Sequence, residues 1–128
     1  MTASGCARTV LIVEDDADIR GAIAEALTDG NYRALEASNG AAALDELRLA
    51  APPPCVILLD VMMPVMDGKE FRDLQREDEA LRGIPVVVLS AHADATVLAE
   101  QMEVAGFLKK PVDLVTLLQT VEQFCARD

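Results

Sequence analysis

The sequence predicts an open α/β fold in which a five-stranded parallel sheet carries helices on both faces. Short apolar runs alternate with helical patterns five times along the 128 residues, and no low-complexity tract separates the units. The most apolar runs are rich in Val, Ile and Leu, as in strands that are buried on both faces. We expect these runs to form the three central strands, at Thr9–Val13, Cys55–Leu59 and Val86–Leu89.

Two further segments are predicted to be outer strands. Arg33–Ala37 has a mixed apolar and polar pattern and follows the turn-like tripeptide Asp29–Asn31. Phe107–Leu108 is a short apolar pair that follows Gly106. Their polarity and brevity suit strands that are covered less completely than the central three.

Each predicted strand is followed by a helical pattern with its own start signal. Four of the helices are preceded by residues whose side chains cap free backbone N–H groups, namely Asp16, Asn39, Asp94 and Asp113. The remaining helix is preceded by Asp67, with Glu70 three residues later in a capping-box arrangement. Five helices are therefore predicted, and together with the strands they form a doubly wound sheet.

Length and charge limit what the chain can be. Its 128 residues predict a single domain, residues 1–128 with a core at about 8–126. The net charge is −11 and aromatic residues make up 3%, so the chain lacks the groups that bind nucleic-acid phosphates and bases. No apolar run approaches the roughly 20 residues that cross a bilayer. We therefore expect neither direct nucleic-acid binding nor membrane insertion.

The cysteines give no sign of a structural site in the sequence. Cys6, Cys55 and Cys125 are odd in number, widely spaced and without a CxxC pair. Neither a disulfide framework nor a zinc site is expected from this pattern. Such cysteine usage favours a reducing compartment, and we expect the protein to be cytoplasmic.

Polar side chains gather where the predicted strands end, and they are Glu14–Asp16, Asp60, Ser90 and Lys110. In a doubly wound sheet the carboxyl ends of the strands meet at one edge, where ligands bind. Clustered carboxylates repel one another unless a proton or a cation intervenes. Oxygen ligands without nearby His or Cys suit Mg²⁺, so the sequence predicts a magnesium site at this edge.

Four segments of the chain resemble the receiver domain of bacterial two-component response regulators, the CheY-like domains. The segments are Leu11–Asp16, Leu58–Gly68, Leu89–Ala91 and Phe107–Pro111. Each segment alone is weak evidence, but the four in this order and spacing are highly specific. The resemblance covers almost the whole chain, and it implies the flavodoxin-like receiver fold with strand order 2-1-3-4-5.

The resemblance implies that Asp60 is the nucleophile that receives a phosphoryl group. It also implies that Mg²⁺ is bound directly by Asp15, by Asp60 and by the backbone carbonyl of Met62, and through water by Glu14. A carboxylate beside Mg²⁺ can attack phosphorus in line once the charge on the transferring group is neutralised.

Further residues are implied to sense the phosphoryl group. Lys110 would contact one phosphoryl oxygen and the Ser90 hydroxyl another. Phe107 would rotate inward when Ser90 moves, and it lacks the hydroxyl of the Tyr often found at this position in the family. Met62 and His92 occupy positions that tune the lifetime of the phosphoryl group.

Some of these residues also have ordinary structural explanations. Asp16 is better explained as the cap of the first helix than as a metal ligand. Ser90 could be a turn hydroxyl, and Lys109 competes with Lys110 for the same role. Strand alternation sends the two lysines to opposite faces, and only Lys110 precedes Pro111, in a peptide bond that we hypothesise to be cis.

One segment departs from the family pattern. Between Ser90 and Lys110 the chain is a couple of residues shorter than in typical receivers, so the fourth helix or its following loop should be abbreviated. This region is the family's usual signalling face. The identity of the partner is therefore the property that transfers least well from the resemblance.

The length of the chain leads us to expect a stand-alone receiver without an output domain, and the resemblance implies that it is phosphorylated by a sensor histidine kinase, a histidine phosphotransfer protein or a small acyl phosphate. Phosphorylation would switch its binding to a downstream protein, and the chain would be a monomer or a weak phosphorylation-dependent dimer. It would catalyse its own phosphorylation and dephosphorylation without being a multiple-turnover enzyme. A phosphorelay intermediate and a phosphorylation-independent interaction module remain open. The acidic residues after the first strand argue against an FMN-binding protein.

Overall fold

Five parallel strands form one sheet in the computed structural model, which describes residues 8–50, 53–60, 68–91 and 100–125. The strands are β1 (Thr9–Val13), β2 (Arg33–Ala37), β3 (Val56–Asp60), β4 (Val86–Ser90) and β5 (Gly106–Lys109). Their order across the sheet is β2-β1-β3-β4-β5, and every neighbouring pair is parallel. The predicted fold class and strand order are confirmed, with β1, β3 and β4 in the centre.

Helices connect the strands and cover both faces of the sheet. Those with bounds inside the described residues are α1 (Ala17–Asp29), α2 (Gly40–Leu49), α3 (Gly68–Glu77) and α4 (Leu114–Phe124). Residues 100–102, between β4 and β5, are helical as well, so all five predicted helical segments are represented. Within the described ranges no helix is both long enough and apolar enough to cross a membrane.

Side-chain caps begin three of the helices as predicted. Asp16 Oδ1 accepts hydrogen bonds from two N–H groups in the first turn of α1, at 2.9 and 3.1 Å. The side chains of Asn39 and Asp113 each accept from the N–H three residues further on, at 2.8 and 3.3 Å. The other two predicted caps, Asp67 and Asp94, lie outside the described residues.

Alternate residues of the central strands face opposite helical layers. On one face Leu11 and Leu59 pack in a cluster with Phe71 of α3. On the other face Leu58 packs in a cluster with Leu117 of α4. All five side chains are fully buried. Burial on both faces requires an apolar residue at nearly every strand position, which explains the near-continuous apolar runs in the sequence.

Two buried polar side chains of α3 bind backbone carbonyls on both sides of β4. Arg72 donates to the carbonyls of Met102 and Glu103 at 3.0 and 2.9 Å. Gln75 accepts from Arg72 at 2.7 Å, and its amide donates to two carbonyls in the loop before β4, each at 2.9 Å. These hydrogen bonds link α3 to the segments that enter and leave β4.

Glu103 turns the chain toward β5 with a φ of 55°. This left-handed conformation is uncommon for a residue that carries a Cβ atom. Arg72 binds the Glu103 carbonyl, and Arg76 pairs with the Glu103 carboxylate at 3.1 Å. Two side chains of helix α3 therefore hold this turn, one by binding the backbone carbonyl of Glu103 and the other by binding its carboxylate.

Cys55 and Cys125 form a disulfide, which the sequence analysis did not expect. The two residues are 70 positions apart in sequence, yet their Cα atoms lie 5.1 Å from one another. Cys55 immediately precedes β3, and Cys125 follows α4, which runs back along the sheet from the carboxyl edge. The expectation was wrong because it used only spacing along the chain, whereas the fold brings both residues to the amino edge of the sheet.

Candidate functional site

The carboxyl edge of the sheet opens into a cleft of about 250 Å³. It lies where the strand order reverses, since β1 has β2 on one side and β3 on the other. The cleft is lined by Glu14, Asp15, Asp16, Ile19, Asp60, Ser90, Ala91 and Lys110. The fold thus brings together polar residues that lie after or at the ends of four different strands.

Three carboxylates meet in this cleft. One oxygen from each of Glu14, Asp15 and Asp60 lies within 4.8 Å of the other two. Glu14 and Asp60 are 1% and 4% exposed, whereas Asp15 is exposed to solvent. Like charges at this separation repel, so the cluster favours a bound cation or a proton.

Backbone contacts hold Glu14 in place just after β1. Its N–H donates to the Ala37 carbonyl at 3.0 Å, which extends the β1–β2 ladder by one residue. Arg20 of α1 donates to the Glu14 carbonyl at 2.8 Å, and the N–H of Asp16 donates to Glu14 Oε2 at 3.2 Å. Sequence reasoning missed Arg20 as a positioning residue, because a basic residue one turn into a helix is too common to stand out.

Lys110 reaches the carboxylates from the end of β5. Its Nζ lies 2.6 Å from Glu14 Oε1 and 3.5 Å from Asp60 Oδ2. The Lys110 N–H donates to the Ser90 carbonyl at 2.9 Å, which continues the β4–β5 ladder up to the cleft. The peptide bond between Lys110 and Pro111 is cis, as hypothesised from the sequence.

Burial and neighbouring charges shift the pKa values of Glu14 and Lys110. Burial, the largest effect, and the neighbouring Asp60 raise the pKa of Glu14 to about 7, while Lys110 opposes the shift. Burial alone would lower the pKa of Lys110, but its contacts with Glu14 and Asp60 outweigh burial, and the net shift is upward. Lys110 therefore keeps its positive charge at neutral pH.

Glu14 Oε1 is buried, and the Lys110 ammonium lies against it with Nζ at 2.6 Å. Buried polar atoms are normally satisfied by protein, water or an ion. Among the described residues, the Lys110 ammonium is thus the group that compensates the charge of Glu14 Oε1.

The remaining predicted residues lie near the cleft in different settings. Ser90 is the last residue of β4 and is 1% exposed. Phe107 of β5 is half-buried and packs against the cluster on the α2 and α3 face. Lys109 is exposed and takes no part in the lining, whereas Lys110 does.

The donor atoms in the cleft suit Mg²⁺. Carboxylate oxygens of Glu14, Asp15 and Asp60 converge there, and the described lining contains no His or Cys side chain. Such hard oxygen ligands, few in number, are what Mg²⁺ takes from proteins. The predicted carbonyl ligand Met62 and the rate-tuning candidate His92 lie outside the described residues.

A parallel sheet of order 2-1-3-4-5, with an acidic cleft and a lysine at its carboxyl edge, defines the receiver class of signalling domains. Comparison with known families agrees, because residues 10–122 match the family described as the response regulator receiver domain. The chain therefore belongs to the response regulator receiver family.

Two relatives show the range of proteins that contain a similar segment. The chain is 33% identical over 116 residues to the DNA-binding transcriptional regulator NtrC of Escherichia coli (strain K12), a match that covers 89% of this chain and 24% of NtrC. It is 39% identical over 104 residues to the sensor histidine kinase TmoS of Ectopseudomonas mendocina, covering 80% of this chain and 10% of TmoS. The chain thus spans a quarter or less of the length of these relatives.

A solved structure of similar size has the same fold. The chemotaxis protein CheY4 of Vibrio cholerae superimposes with a TM-score of 0.82 at 30% sequence identity. The match covers 91% of this chain and 97% of CheY4. The similarity therefore extends over nearly the whole of both chains.

Proposed function

We propose that this chain accepts a phosphoryl group on Asp60 and that the modification switches its binding to partner proteins. The donor would be the phosphohistidine of a sensor histidine kinase or of a histidine phosphotransfer protein, or a small acyl phosphate. The observation that carries the proposal is the setting of Asp60, which is 4% exposed yet lines an open cleft beside two carboxylates and a lysine. Carboxylates are almost never buried in this way without a partner or a task.

In the proposed reaction a carboxylate oxygen of Asp60 attacks the phosphorus of the donor. A new P–O bond forms as the P–N bond of a phosphohistidine, or the P–O bond of an acyl phosphate, breaks in line with it. The leaving imidazole or carboxylate takes the electron pair of the broken bond. Lys110, whose Nζ lies 3.5 Å from Asp60 Oδ2, would neutralise charge on an oxygen of the transferring group.

Mg²⁺ would supply positive charge beside Asp60 and so offset the charge on the transferring group. The residues proposed to hold it directly are Asp15, Asp60 and the backbone carbonyl of Met62, with Glu14 acting through water. Arg20 supports this arrangement from the protein side, because its hydrogen bond to the Glu14 carbonyl fixes the backbone beside Asp15.

A phosphoryl group on Asp60 would give Ser90 and Lys110 a new acceptor. Two charge-assisted hydrogen bonds contribute about 3–6 kcal/mol, which is comparable to the roughly 5.5 kcal/mol that moves an equilibrium from 1:99 to 99:1. Phe107 pairs with Val88, two residues before Ser90. As in the family that the chain resembles, a displacement of Ser90 would be followed by repacking of Phe107. Because Phe has no hydroxyl, this switch would act through packing on the surface of residues 100–102, β5 and α4.

The partners of the chain follow from this chemistry. The phosphoryl group would come from a phosphohistidine or a small acyl phosphate, and the similar segment inside the sensor histidine kinase TmoS supports a kinase or phosphotransfer protein as the source. The similar segment in the DNA-binding transcriptional regulator NtrC supports a link between such a segment and a downstream output. The stand-alone organisation, the cytoplasmic location and the weak phosphorylation-dependent dimer stay predictions.

Replacing Asp60 by Asn tests the proposal directly. We expect the wild-type chain to give a shifted band on a phosphate-affinity gel after incubation with acetyl phosphate and Mg²⁺, and Asp60→Asn to give none. Asp45→Asn, on the exposed surface of α2, is the matched control and should behave as wild type. A shifted band in Asp60→Asn would refute the assignment, and no shift in any variant would favour a phosphorylation-independent module.

A further inference from the structure

Cys55 and Cys125 join two elements at the edge of the sheet opposite the acidic cleft. Cys55 directly precedes β3, whose other end carries Asp60. Cys125 follows α4, whose other end begins four residues after Lys110. The Cα separation of 5.1 Å lies within the usual range for a disulfide, about 4.4–6.8 Å. The bond therefore connects the far end of the nucleophile's strand to the far end of the helix that follows the lysine.

The surroundings of the two sulfurs suit the reduced pair as well as the disulfide. Cys125 is 2% exposed and Cys55 is half-buried, and both pack with the cluster on the α1 and α4 face, where a thiol behaves as a small apolar group. Cys55 Sγ lies 3.2 Å from the Thr9 carbonyl, so a thiol at this position has an acceptor ready. Reduction would therefore leave two thiols in surroundings that accept them, once the sulfurs have moved apart to van der Waals contact.

The last turn of helix α4 packs on the sheet through Val121, which is 0% exposed, and through the half-buried Phe124. Its first turn is more open, since Leu114 and Val115 are 39% and 62% exposed. The Cys55–Cys125 bond adds a covalent restraint directly after the last turn. Because helix ends fray unless contacts hold them, the bond would further limit opening of this turn.

We propose that Cys55 and Cys125 form a reversible dithiol–disulfide site whose oxidation fastens the end of α4 to the start of β3. The co-reactant is a low-molecular-weight disulfide such as oxidised glutathione. The proposal does not rest on the proposed function, and the site would make the mobility of α4 respond to the thiol redox state of the surroundings.

The oxidation proceeds by two thiol–disulfide exchanges. The thiolate of Cys55, the more exposed of the pair, attacks one sulfur of the small disulfide, forms a mixed disulfide and releases one small thiolate. The thiolate of Cys125 then attacks the Cys55 sulfur, forms the Cys55–Cys125 bond and releases the second small thiolate. The two protons lost by the cysteines go to the two released thiolates, so one small disulfide is reduced for each protein disulfide formed.

The test equilibrates the full chain in buffers with increasing ratios of oxidised to reduced glutathione. Each sample is quenched in acid and alkylated under denaturing conditions, and its intact mass counts the free thiols. The sequence has three cysteines, so we expect three labels in reducing buffer and one in oxidising buffer, with Cys55 and Cys125 paired in the peptide map. Three labels in every buffer, or a bond that includes Cys6, would overturn the proposal.

Hydrogen exchange on the wild-type chain tests the effect on α4 without any variant. The amides of the last turn of α4 should exchange on the order of 10-fold more slowly in the oxidised form, while those of β1 should not change. Equal exchange in the two forms would show that the bond does not restrain the helix and would refute that part of the proposal.

Single-cysteine variants assign the response to the pair. Cys55→Ser and Cys125→Ser should each lose the dependence of α4 exchange on glutathione, whereas the matched control Cys6→Ser should keep it. A response that survives in Cys55→Ser would contradict the proposal. Phosphorylation by acetyl phosphate plays no part in these measurements, so their failure would leave the proposed function untouched.

Discussion

Lys110 lies closer to Glu14 than to Asp60, with Nζ distances of 2.6 and 3.5 Å. Glu14 is 1% exposed, and a buried carboxylate without a cation beside it is costly. Lys110 therefore stabilises the resting cleft through Glu14 while standing near the carboxylate proposed to take the phosphoryl group. The Lys110 ammonium can interact with both carboxylates because an oxygen of each lies within 3.5 Å of its Nζ.

Replacing Lys110 by Met should lower the rate of phosphorylation by acetyl phosphate about 100-fold, the usual effect of removing one preorganised donor to a developing charge. The rate is measured in excess Mg²⁺ by quantifying the phosphorylated band over time. Lys109→Met is the matched control, because Lys109 is adjacent in sequence but exposed and away from the cleft. Equal rates in the two variants would contradict a role for the Lys110 ammonium.

Two buried polar side chains of helix α3 form a hydrogen-bond network that joins the helix to the segments around β4. Arg72 and Gln75 are 9% and 0% exposed, and between them they bind four backbone carbonyls around β4. Burial lowers the pKa of Arg72, and the neighbouring Arg76 adds to that effect. Hydrogen bonds to protein groups, rather than contact with water, therefore stabilise the buried guanidinium of Arg72.

Replacing Arg72 by Met should lower the free energy of unfolding by about 3 kcal/mol, because it strands two backbone carbonyls and the Gln75 side chain in the interior. Arg76→Met removes only the exposed ion pair with Glu103 and should cost less than about 1 kcal/mol. Urea denaturation of both variants, followed by circular dichroism, measures the difference. Similar losses in the two variants would show that the buried network adds little.

The excess of negative charge has a specific consequence for the molecule as a whole. The net charge is −11, and three of the acidic side chains meet at one cleft. A divalent cation that binds only the folded chain stabilises it against unfolding by mass action. The stability of the molecule should therefore depend on Mg²⁺ more steeply than on ionic strength.

Saturating Mg²⁺ should raise the melting temperature, with a gain of about 2.7 kcal/mol when its concentration is 100 times the Kd. Sodium chloride at matched ionic strength should give a smaller rise, since it only screens repulsion. Asp15→Asn should lose most of the Mg²⁺ effect, whereas Asp45→Asn should retain it. Differential scanning fluorimetry measures the melting temperature of the wild type in each salt and of both variants in Mg²⁺. An undiminished rise in the melting temperature of Asp15→Asn on adding Mg²⁺ would rule out Asp15 as a ligand.

Patterns along the chain were enough to predict the sheet. The bounds of β1 agree with the prediction at every residue, because burial on both faces leaves a continuous apolar run. The third strand is shifted by one residue, from the predicted Cys55–Leu59 to Val56–Asp60, because Asp60 pairs with Leu89 of the neighbouring strand. The ends of a strand thus depend on its neighbours, which a local pattern does not contain.

The difference between local patterns and contacts that are distant in sequence also explains which parts of the candidate site could be predicted. The polar residues at the strand ends were identified because the topology of a parallel sheet brings such ends together. Arg72 bonds to Met102, 30 residues away, and Cys55 to Cys125, 70 residues away. Neither contact leaves a periodic or spaced pattern in the sequence, so three-dimensional coordinates were needed to find them.

The hydrogen bond from the Lys110 N–H to the Ser90 carbonyl also limits how the cleft can respond to a ligand. This hydrogen bond continues the β4–β5 ladder, so the backbones of Ser90 and Lys110 are held at a fixed distance from each other. Neither backbone can approach a bound group without moving the other, and independent adjustment is left to the side chains. A bound group that contacts both residues would therefore be met by rotation of the Ser90 and Lys110 side chains, while their backbones stay at a fixed spacing.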